Sequence, residues 1–149
     1  MIRIFKITLL LIVTICLFVS PAMAKGKIST KVTVIHASTG TNQIDSGLSA
    51  IVAELKSVFK YTSYTLITSQ NMNLDVKQQG QITLPEGRTL WITPMQMDNQ
   101  RIPVQINILK NNQSIFQTQI LLKNNSSVTI GGPQYKNGVL LFNISGVAR

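Results

Sequence analysis

Cysteine is nearly absent from this chain. The one cysteine, Cys16, lies in an apolar run near the N-terminus, so the chain can form no internal disulfide, and beyond residue 24 it has no thiol chemistry. Histidine is equally scarce, with His36 alone, and the acids are five: Asp45, Glu54, Asp75, Glu86 and Asp98. None of these carboxylates is paired in sequence. A His-based triad has one candidate base and no obvious partners, and no His/Cys cluster has metal-ligand spacing. These shortages argue against an enzyme and predict no metal and no cofactor. Gly131-Gly132-Pro133 is not a phosphate loop, because the Lys-Ser/Thr pair and the following helix are both missing.

The chain also lacks an apolar run long enough to span a membrane. Its longest, Ile7 to Val19, is about 13 residues, whereas a spanning helix needs roughly 20. Arg3 and Lys6 precede this run, Pro21 ends it, and Ala22-Met23-Ala24 follows as a small-x-small site. That is the layout of a secretory signal peptide over residues 1–24. The competing reading is an uncleaved anchor, but the polar Lys25-Gly26-Lys27 is no stop-transfer pattern. Lipidation of Cys16 is rejected, since small residues do not precede it and cleavage there would leave Leu17 to Val19 as an apolar stub. The expected location is the periplasm or the medium outside the cell.

Residues 25–149 carry 12 basic and 5 acidic side chains, a net charge of +7. The basic residues are spread thinly, with one cluster at Lys25, Lys27 and Lys31. No aromatic-plus-basic nucleic-acid motif appears, so nucleic acid is not an expected partner and the charge reads as a solvated surface. What the chain has in abundance is amide: 11 Asn and 12 Gln. An amide donates and accepts at once, which suits a polar sheet face or a surface that recognises sugars or another protein.

Periodicity predicts a strand over Lys31 to Ala37 after a flexible lead at 25–30. Leu48, Ile51, Val52, Leu55, Val58 and Phe59 form one apolar stripe at helical spacing, with Asp45 or Ser46 as the expected cap. Strands are then predicted at 61–69, 75–84 (interrupted by Gly80), 89–97, 101–109, 113–122, 128–130 and 139–145. Turn residues separate them: Pro85-Glu86-Gly87, Asn111-Asn112 and Asn124-Asn125-Ser126. Gly131 to Gly138 reads as a loop. The alternation is cleanest in Arg101 to Leu109, where Ile102, Val104, Ile106 and Ile108 face one way and Arg101, Pro103, Gln105 and Asn107 the other. The expected fold class is α+β: a strand–helix–strand unit followed by an antiparallel β meander, closing into a small sandwich or curved sheet as one domain over 31–149. The second reading is a β-sandwich with the helix as a lid at one end.

Three segments carry a resemblance: Phe59-Lys60-Tyr61-Thr62-Ser63-Tyr64, Leu84-Pro85-Glu86-Gly87-Arg88-Thr89-Leu90, and Gly131-Gly132-Pro133-Gln134-Tyr135 with Gly138-Val139-Leu140. In pattern this resembles small exported bacterial proteins of an uncharacterised family. The resemblance implies an exported bacterial module and brings no activity, ligand or catalytic residue.

Candidate contact residues are few. Arg88 and Tyr135 flank turns and are the first surface candidates. Trp91, between Leu90 and Ile92, is read as a core or sheet-face residue that could join Tyr61, Tyr64 and Tyr135 in an aromatic platform. The expected function is a non-enzymatic binding or assembly module of the bacterial envelope that recognises a protein partner. The alternative is a carbohydrate-binding module for cell-wall or surface polysaccharide.

Overall fold

The computed structural model describes residues 26–149. The expected signal peptide at 1–24, and any fate of it as a cleaved leader or an anchor, lies outside the described residues. Among the described residues, no helix is long and apolar enough to cross a membrane.

Two antiparallel four-stranded sheets pack face to face. The strands are β1 (Lys27–Ser38), β2 (Ser63–Asp75), β3 (Gly80–Leu84), β4 (Arg88–Pro94), β5 (Arg101–Lys110), β6 (Gln113–Lys123), β7 (Ser126–Tyr135) and β8 (Gly138–Ala148). One sheet runs β2-β1-β8-β7 and the other β3-β4-β5-β6. The chain thus crosses between sheets after β2 and again after β6, and β8 closes against β1. Period-two alternation explains the packing: each strand turns one row of apolar side chains toward the opposite sheet. Val32, Val34, Leu140, Phe142 and Ile144 from the first sheet meet Leu90, Ile92, Ile102, Val104, Ile106, Ile108 and Leu122 from the second.

The α+β class expected from the sequence is therefore overturned; the fold is a β-rich sandwich. The reason lies in the helix. The stripe from Leu48 to Phe59 folds as a short 3-10 turn, Ser46–Leu48, and one short α-helix, α1 (Val52–Val58). Ile51 between them has φ −121° and ψ −5°, outside helical geometry. So short a helix forms no layer. It covers one end of the outer face of the first sheet, where Leu48 and Leu55 join Ile35, Ala37, Tyr64 and Leu141 in a second, smaller core. Val58, expected on the buried stripe, is 64% exposed.

Three local expectations also change. Residues 27–30 are not a lead: they begin β1 and pair with Met72 to Asp75 of β2. Asp45 does not cap the helical turn; its carboxylate accepts a hydrogen bond from the Leu66 N–H at 2.8 Å, pinning the loop to β2. Gly131 to Tyr135 is strand and not loop, with a register shift against β8 between Gly131 and Gln134. A bulge accommodates glycine and proline where a regular ladder would reject them.

Tyr64 ties the helix to the sheet. It is fully buried, and its hydroxyl donates to the Phe59 carbonyl (3.1 Å) and the Leu55 carbonyl (3.3 Å). Burial raises its pKa above the ordinary phenol value of 10.0. A raised folded-state pKa means that the stability contributed by the neutral phenol is complete below the unfolded-state value and is lost as pH rises through the folded one. Denaturation curves across the alkaline range should show this loss in the wild type and a smaller one in Tyr64→Phe. At neutral pH the substitution should cost about 1 kcal/mol for the lost hydrogen bonds.

Candidate functional site

The three residues singled out from the sequence do not come together. Arg88 is not a surface contact: it is 9% exposed. It alternates with Leu90 and Ile92 and so points between the sheets. Its Nη1 donates to the Gln134 carbonyl on β7 at 2.9 Å, its Nη2 pairs with the Glu86 carboxylate, and its Nε is buried without a partner. Arg88 thus ties the β3–β4 turn and the second sheet to the bulged strand of the first. Period-two alternation already carried the signal that places it inside; its position beside a turn suggested the opposite.

Tyr135 lies near the same end. It is half-buried against the main core, edge-on to the His36 ring at 5.0 Å between centroids, with the Lys136 ammonium 5.2 Å from its own ring centre. Tyr61 and Tyr64 pack in the helix-side cluster. No aromatic platform forms from these residues. Among the described residues, no three His, Cys, Asp or Glu side chains gather as metal ligands.

Trp91 stands apart, on the outer face of the second sheet. Register makes its surroundings explicit. Gln81 of β3 lies opposite Trp91, Trp91 opposite Asn107 of β5, and Asn107 opposite Gln117 of β6. These four form one cross-strand row. The adjacent row is Thr93, Gln105 and Gln119. Adjacent strands lie about 4.8 Å apart, so cross-strand neighbours touch. The result is a shallow depression of about 310 Å³, with Trp91, Gln79, Thr93, Gln105, Asn107 and Gln117 among its lining. Trp91 is half-buried and, with Ile106 and the half-buried Leu109, forms its apolar part. Asn107 is held by Ser114, whose hydroxyl donates to its Oδ1 at 2.6 Å, which leaves the Nδ2 hydrogens for a ligand.

No titratable side chain lines this depression. Charge enters the same face two rows away, where Arg101 and Lys123 are opposite one another. There a second hollow of about 430 Å³ is bounded by Asp98, Asn99, Arg101, Pro103 and Leu121. Alternation alone places Gln105 and Asn107 on the wet side of β5 and allows Trp91 a place on a sheet face. The sequence pattern does not mark Gln81, Gln117 and Gln119 as their neighbours, since four strands contribute to one row and only the register joins them.

No family model matches the chain, and neither a curated protein nor a solved structure does.

Proposed function

We propose that the protein is an exported, non-enzymatic binding module of the bacterial envelope, and that the outer face of β3–β6 holds a neutral, hydroxyl-rich glycan. The observation that carries this reading is the row Gln81–Trp91–Asn107–Gln117. A sugar ring has an apolar face and a polar rim. An indole at the floor takes the first, and amides that donate and accept match hydroxyls that do the same. A charged ligand would lose hydration in this depression without gaining a counter-charge. The layout favours the carbohydrate alternative over the protein partner that the sequence put first. The signal peptide pattern supports export.

Glycan-array screening followed by calorimetry with a positive ligand tests it. Trp91→Ala should weaken binding at least tenfold, about 1.4 kcal/mol. Tyr135→Ala, on β7 of the other sheet, should leave binding unchanged. No binding to any neutral polymer, or equal affinity in Trp91→Ala, would sink the proposal.

A further inference from the structure

Strand β6 is an edge of the second sheet, and an edge presents unpaired backbone groups that proteins normally protect. The other three edges are protected or unremarkable. β3 is only Gly80–Leu84, β7 carries a bulge and Pro133, and none of the exposed large apolar side chains lies on β2. β6 is different. It carries two exposed large hydrophobics, Ile115 at 45% and Leu121 at 55%, and its one charged residue is the terminal Lys123. Ile115 is the extra residue of a bulge, since Phe116 pairs with Ile108 and Ser114 with Leu109.

The sequence of β6 is close to a palindrome about Thr118: Ile-Phe-Gln-Thr-Gln-Ile-Leu. We propose that β6 pairs antiparallel with β6 of a second copy of this chain, centred on Thr118, joining two sheets of four strands into one of eight. In that register Ile115 meets the partner's Leu121, Phe116 meets the partner's Ile120, and Gln117 meets the partner's Gln119. Every apolar side chain between Ile115 and Leu121 gains an apolar neighbour. Charge is compatible as well. Lys123 faces the partner's Gln113, and the two Lys123 ammonium groups stand at opposite ends of the seam. Ten residues of strand separate them, roughly 34 Å, well beyond the screening length.

The pairing also extends the candidate site. The row Trp91–Asn107–Gln117 runs on into the partner's Gln119, the partner's Gln105 and the partner's Thr93, and twofold symmetry repeats this in reverse. Two depressions become two ends of one amide track. A long glycan laid across it gains from both, because the second contact is intramolecular.

Sedimentation equilibrium of the purified protein, without ligand, tests the pairing and does not depend on glycan binding. The wild type should shift from monomer to twice the monomer mass as concentration rises to about 1 mM. I115K/L121K sets like charges against each other at both ends and should remain at monomer mass. I115K/L121E sets a lysine opposite a glutamate in this register alone and should restore the doubled mass. Both sites are exposed, so thermal melts should show all three proteins folded. A wild type that stays monomeric, including one that captures some other protein instead, overturns the proposal. So does a folded I115K/L121K that still dimerises, or a folded I115K/L121E that does not.

Discussion

Phe142→Ala should lower the unfolding free energy by about 3–5 kcal/mol and the midpoint of thermal unfolding by roughly 10–20 °C. Phe142 is fully buried on β8, the strand between β1 and β7, so the cavity opens in the middle of the sandwich. Its ring also packs directly over Gly132 in the bulge of β7: a Cβ on Gly132 would lie 2.3 Å from Phe142 Cε2 and 3.0 Å from the Leu140 carbonyl oxygen. The bulge and the ring are fitted to each other. Gly132→Ala alone should therefore overpack the site, while the same change in a Phe142→Ala background fills part of the cavity. The two substitutions should be clearly non-additive, with the double variant more stable than the sum of the single losses. Denaturant titration of the four proteins reads this directly, and simple additivity would show that the ring and the bulge are independent.

Gly138→Ala should be comparably damaging for a different reason. Gly138 opens β8 opposite Ser38 of β1, and a Cβ there would stand 1.9 Å from the Ala37 carbonyl oxygen and 2.9 Å from its carbonyl carbon. Both obstacles are backbone of an interior strand, so no rotamer change relieves them. The cost should reach or exceed about 3 kcal/mol, the upper end of ordinary overpacking. Gly131→Ala is the matched control. Gly131 is exposed in β7, and its added Cβ would meet nothing within 4 Å, so the change should stay within about 0.5 kcal/mol. Equal thermal midpoints for the two variants would refute the close approach of β8 to β1.

Much of the strand content was legible, and the reasons are local. β5 shows its alternation because one face is core and the other solvent. Asn111 and Asn112 announced a tight turn, and both adopt the left-handed conformation, at φ 51° and 60°. The β3–β4 turn is readable from Pro85 and Gly87, and Gly87 takes the expected positive φ; Glu86, which nothing in the sequence marks, also takes one, at 61°. The class is not legible in the sequence because a helical stripe says which residues are buried together, not how far the helix runs. Leu48 and Leu55 are buried as the stripe requires, yet the backbone between them breaks at Ile51. The full length of β7 is not legible because Gly131, Gly132 and Pro133 weaken a regular strand and fit a bulged one equally well. The site was legible only in fragments. Side chains on β3, β4, β5 and β6 become neighbours through register, which no single stretch of sequence displays.

No charged side chain lines the depression around Trp91. In the exported location proposed above, acidity and ionic strength would follow the surrounding medium. Indole, threonine hydroxyl and amide groups neither gain nor lose protons between mildly acid and mildly alkaline pH, and salt does not screen them as it screens ion pairs. The proposed glycan binding should therefore vary little with pH or salt, so that occupancy would follow ligand concentration alone.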